Sequence, residues 1–97
     1  MSYNFMCETA IEPNWVDINK LMKKYDCLES FPMLESKGQC FGLAISIPMK
    51  NTGARSYKQF VSAYKVLSKN YNFKVYDMYY GNEVDKEHIK NLKQEIT

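Results

Sequence analysis

The apolar residues of this chain change their period along its length, and the order of those changes restricts the fold more than any other property of the sequence. Over residues 3–11 they alternate, with Tyr3, Phe5, Cys7, Thr9 and Ile11 on one side and Asn4, Met6, Glu8 and Ala10 on the other, which predicts a strand. Glu12-Pro13-Asn14 interrupts, and then Trp15, Ile18, Leu21, Met22, Tyr25 and Leu28 recur at three- and four-residue steps. That stripe predicts a helix, with Asn14 as its cap and Asp17 in the first turn, where a carboxylate complements the helix dipole. A second strand is expected over 31–35, held to a sheet edge because Pro32 has no N–H to donate. The clearest strand is 40–47, with Phe41, Leu43, Ile45 and Ile47 opposite Cys40, Gly42, Ala44 and Ser46. A second amphipathic helix carries Tyr57, Phe60, Val61, Tyr64, Leu67 and Tyr71, and Ser56 is its expected cap. Residues 73–80 read as a fourth strand, ended by Gly81-Asn82, and Ile89, Leu92 and Ile96 mark a short helix within about 84–97 capped by Asp85.

The order is β-α-β-β-α-β with a C-terminal helical extension, the split βαβ or ferredoxin-like pattern. The expected fold is therefore α+β: a single domain over residues 1–97, with a four-stranded antiparallel sheet and two helices covering one face. The opposite face stays open unless a partner or the last helix covers it. The 97 residues, 45% of them hydrophobic, suffice for one modest core. With 13 Lys plus Arg against 11 Asp plus Glu, the net charge of +2 provides little drive toward nucleic acid.

Several functional classes lose ground on the residues themselves. No apolar run approaches the roughly 20 residues of a bilayer span, and the N-terminal residues have neither the basic nor the apolar region of a signal peptide, so a cytoplasmic location is expected. Cys7, Cys27 and Cys40 have no metal-binding or redox spacing and are expected to be free thiols, and no cofactor is called for. The segment Lys37-Gly38-Gln39-Cys40-Phe41 echoes an RNA-binding strand motif. Gln39 and Ala44 stand where stacking aromatics are required, however, which disfavours RNA. His88, the one histidine, lies near the chain end beside Glu87 and is expected to be an isolated surface residue.

Two sets of candidate residues remain. Glu8, Glu35 and Asp77 all fall in expected strands, whereas the lysines crowd onto the helices. Placed together on the open sheet face with Tyr79, they would present carboxylates and a phenol to a cationic protein. The leading expectation is accordingly a non-enzymatic protein that blocks a macromolecular partner, as a toxin-immunity protein neutralises a nuclease-type toxin. A phage-encoded inhibitor of a defence complex is the alternative of the same kind. The second set is Gly53, Arg55 and Ser56, at the start of the second helix, where free N–H groups could hold an anion. Acylphosphatases share the element order and cradle phosphate in the loop after the first strand; here that loop is the acidic, glycine-free Glu12-Pro13-Asn14. A small-ligand regulatory domain of ACT type has the same order too, and would act as a homodimer.

Overall fold

The two longest alternating segments pair with each other and set the plane of the sheet. The computed structural model describes residues 2–33 and 41–96. Strand β1 (Ser2–Thr9) runs antiparallel to β3 (Phe41–Pro48) from Ser2 opposite Pro48 to Thr9 opposite Phe41. Directly opposed residues share a face. Phe5 with Ile45 and Cys7 with Leu43 therefore point to one side, and Met6 with Ala44 and Glu8 with Gly42 to the other. The first set is buried and the second half-buried or exposed, as the alternation predicts.

The remaining elements are α1 (Trp15–Met22), β2 (Glu29–Met33), a 3₁₀ turn at Met49–Asn51, α2 (Ala54–Asn70), β4 (Lys74–Asp77), β5 (Asn82–Glu83) and α3 (Lys86–Ile96). The strands form a five-stranded antiparallel sheet in the order β2-β3-β1-β4-β5. One core joins Phe5, Cys7, Leu43, Ile45, Ile47 and Val75 of the sheet to Ile18 and Met22 of α1, Phe60, Ala63 and Leu67 of α2, and Leu92 and Ile96 of α3. All three helices thus pack on the inner side of the sheet. The Phe5 and Phe60 rings stack with centroids 4.1 Å apart. The half-buried tyrosines of α2 use both of their ends, the ring against the core and the hydroxyl on a neighbouring carbonyl. Tyr57 donates to the Ile89 carbonyl and Tyr64 to the Val84 carbonyl, each at 3.0 Å, which straps α3 beside α2.

Several local expectations are corrected. The first helix ends at Met22 rather than running on to Leu28, because residues 23–28 turn through tighter bonds such as Tyr25 N–H to the Met22 carbonyl. That segment is then held by α2: Cys27 N–H donates to Gln59, and Tyr25 shares a hydrogen bond with Ser62. Leu28 still reaches the core. The second strand begins at Glu29, and the part of its expected span beyond Met33, including Glu35, lies outside the described residues. The expected strand over 73–80 is confined to β4 and gives way to a turn at 78–81, and the short β5 follows beyond its expected end, so the sheet has five strands among the described residues rather than four. The interruption has a local cause. Asp77 Oδ1 accepts hydrogen bonds from the backbone N–H of Tyr79 at 2.8 Å and of Tyr80 at 3.3 Å, and Gly81 takes the left-handed conformation, φ 74°, that completes the turn.

Candidate functional site

Two regions concentrate exposed apolar, aromatic and charged side chains: the outer face of the sheet and the β4–β5 hairpin where it meets α3. On the outer face the ladder aligns Phe31, Ala44, Met6 and Tyr76 in a row across four strands. Next to that row come Met33, Gly42, Glu8 and Lys74, and on its other side Glu29, Ser46 and Asn4. Glu83 of β5 stands opposite Tyr76. Phe31 and Met33 are 56% and 46% exposed. Among the described residues the strand charges on this face are Glu8, Glu29 and Glu83 against Lys74, so a protein of positive net charge presents an acidic sheet there. A shallow cleft of about 370 Å³ opens at one end of the face between Glu8, Ile11, Asn72, Lys74 and Tyr76.

Asp77 does not belong to this surface. It pairs with Phe5, shares that residue's inward direction and is only 3% exposed. There its Oδ2 lies 2.8 Å from His88 Nε2, so the histidine expected to stand alone on the surface is half of a largely buried pair with an aspartate. Since the carboxylate can only accept, Nε2 carries the proton of this bond. Asn82 Nδ2 lies 3.5 Å from Nδ1, long for a hydrogen bond. One carboxylate thereby fastens the hairpin turn with one oxygen and α3 with the other. Of the four residues expected to share a docking face, Glu8 is on it, Asp77 is beneath the sheet, Tyr79 is 80% exposed in the turn, and Glu35 lies outside the described residues.

The turn and α3 enclose two adjoining clefts, each of about 270 Å³, one bordered by Asn82, His88, Asn91 and Leu92 and the other by Ser2, Tyr3, Met49 and Tyr79. Tyr80 and Glu95 border both. The Tyr80 hydroxyl donates to Glu95 Oε1, and that bond pushes the phenol up to about 12, so it stays protonated throughout the neutral range. Tyr3 donates its hydroxyl to the Glu95 carbonyl at 2.9 Å.

The three residues of the expected anion site are adjacent but committed elsewhere. Gly53, at φ 148°, is the cap of α2 and gives it no side-chain hydrogen bond. Ser56 is not the cap: it is buried in the first turn, and its hydroxyl donates to the Gly53 carbonyl at 2.9 Å. Arg55 reaches Asp26, with Nη2 2.8 and 2.6 Å from the two carboxylate oxygens. The Gln59 amide, which also donates to Asp26, and the Arg55 guanidinium hold that carboxyl below its ordinary value. The arginine that would meet an anion has a carboxylate as its partner instead.

Cys7 is fully buried and burial pushes its thiol up to about 12, while Cys27 is a half-buried free thiol. Among the described residues no group of three His, Cys, Asp or Glu side chains could hold a metal ion, and no helix is long and apolar enough to cross a membrane. Comparison of the chain with protein-family models, with curated proteins and with solved structures finds no match.

Proposed function

We propose that this chain is a non-enzymatic binding protein that blocks a cationic macromolecular partner in the cytoplasm by laying its outer sheet face on it, in the manner of an immunity protein on a nuclease-type toxin. The observation that carries the reading is that, among the described residues, the three helices pack on one side of the sheet, which leaves on the other side the row Phe31, Ala44, Met6 and Tyr76, exposed at Phe31 and half-buried at the rest, beside Glu8, Glu29 and Glu83. An apolar strip whose rim is mainly acidic, with Lys74 its one cation among the described strand residues, suits association with a basic surface, where the strip supplies contact and the rim supplies speed and orientation. The strand order also supports a ferredoxin-like sandwich, with β5 added at the β4 edge. Glu29 and Glu83 join Glu8 on the docking face, from which Asp77 is turned away.

The test is capture of a basic protein from the native host on the immobilised chain, followed by association rates over a range of salt. Glu8→Lys combined with Glu29→Lys should slow association severalfold at low salt and much less at high salt. Lys20→Glu, on the exposed side of α1, should not slow it. Capture that survives both glutamate reversals at every salt concentration would refute docking through this face.

A further inference from the structure

The cleft bordered by Ser2, Tyr3, Met49, Tyr79, Tyr80 and Glu95 lies at the opposite end of β1 from Glu8. Its lining has a consistent electrostatic character. Three phenol rings border it, and the faces of aromatic rings attract cations. Among these lining residues Glu95 bears the only formal charge of a side chain, and it is negative. Glu95 also sits in the last turn of the 11-residue α3, where the backbone carbonyls give the helix its negative end. Lys93, in the same turn, is not part of the lining.

Two of the three rings are held by their hydroxyls before any ligand arrives, and the third, that of the exposed Tyr79, is fixed at its backbone. Tyr3 is anchored through its hydroxyl to the Glu95 carbonyl, Tyr80 through its hydroxyl to the Glu95 carboxylate, and the backbone of Tyr79 and Tyr80 through Asp77. Tyr79 and Tyr80 stand edge to face with centroids 4.9 Å apart. A site assembled in this way loses little ordering entropy on binding. From this arrangement we infer that the cleft receives the guanidinium of an arginine side chain carried by a protein partner, the planar cation against the tyrosine rings and its N–H groups toward Glu95. Arginine fits better than a compact ammonium because it is flat, weakly hydrated and able to stack while donating hydrogen bonds in its plane. The inference rests on the docking reading only in taking a protein as the bearer of the cation.

The probe is Nα-acetyl-arginine methylamide, titrated into the full chain and followed by amide chemical shifts, with the citrulline analogue as a neutral control of the same shape. Saturable shifts at Tyr3, Tyr79, Tyr80 and Glu95 are expected with the arginine compound, at about millimolar affinity, and none with citrulline. Tyr79→Ala and Glu95→Gln should each weaken binding about two- to fivefold. Both positions are exposed, and glutamine keeps an acceptor for Tyr80. Glu8→Lys with Glu29→Lys should leave this binding unchanged, which separates the cleft from the sheet face. Absence of saturation, equal binding of citrulline, or retention of affinity in both cleft variants would overturn the inference, whatever becomes of docking through the sheet.

Discussion

Replacing Asp77 with alanine removes one carboxylate from three donors, and the cost can be worked from their geometry. The two short bonds, from Tyr79 N–H and His88 Nε2, are both 2.8 Å, whereas the bond from Tyr80 N–H at 3.3 Å contributes less. Hydrogen bonds to a charged group contribute about 1.5–3 kcal/mol each when intact. Water can reach the turn amides once the side chain is gone, because Tyr79 and Tyr80 are exposed, but it reaches the His88 ring poorly since that side chain is 12% exposed. Taking one bond near full value and the other at half gives about 3 kcal/mol. For a chain of this length that corresponds to a fall in Tm of roughly 12–24 °C. Asp77→Asn keeps an acceptor for the turn and can present its amide to the unprotonated form of Nε2, so it should lose only about 1 kcal/mol. A double-mutant cycle of Asp77→Ala with His88→Ala, measured by urea unfolding, should return a coupling of about 1–3 kcal/mol. A loss below about 1 kcal/mol for Asp77→Ala, or a coupling near zero, would refute the claim that this carboxylate fastens hairpin and helix together.

Two further perturbations test the description of the fold. The Cys7 thiol is raised from 9.0 to about 12 by burial, so the unfolded chain releases this proton before the folded one does. Cys7 therefore contributes stability in full below pH 9.0 and loses it as pH rises toward 12, with a slope of up to about 1.4 kcal/mol per pH unit. Cys7→Ala should flatten the alkaline limb of a stability–pH profile from chemical denaturation, and an unchanged slope would contradict burial of this thiol. Gly53 has space around it, since an added Cβ would meet no atom within 4 Å, but its φ of 148° is one that side chains resist. Gly53→Ala should thus cost about 1–3 kcal/mol from backbone strain alone, read as a lower midpoint in thermal unfolding.

The parts of the fold that were legible in the sequence are those where one residue's direction determines the next. Alternation in β1 and β3 assigned Phe5, Cys7, Leu43, Ile45 and Ile47 to the core and Glu8 to the open face, and Asn14 caps α1 as its position implies, accepting from Val16 N–H at 3.0 Å. Asp77 shows where that logic stops. Both sides of 73–80 carry apolar bulk, so alternation could not assign its direction, and the register against Phe5 did. A local signal was present, because an aspartate can bond the backbone two residues on and a nearby glycine can take a left-handed conformation, but the run of tyrosines between them reads as strand. His88 had no such signal. Its partner lies 11 residues away across a hairpin and a helix start, and the Arg55–Asp26 pair spans 29 residues. Contacts of that kind depend on how elements pack, which periodicity does not encode.

Exposed apolar residues on a sheet invite two kinds of association, through the edge or through the face, and the edge residues separate them. Edge pairing needs a free row of N–H and C=O groups on a strand of useful length. Strand β2, at one edge, contains Pro32, which has no N–H to offer, and β5, at the other, is two residues long. Both edges are therefore poor templates for strand addition by another chain, including a second copy of this one. Yet β2 keeps Phe31 and Met33 exposed on its outward side, beyond what a solvated surface requires. The strand is blunted toward the edge and left apolar toward the face. Solubility by itself would favour polar residues in both directions, whereas a surface that binds flat against a partner, and must not polymerise, would combine these two features in one strand.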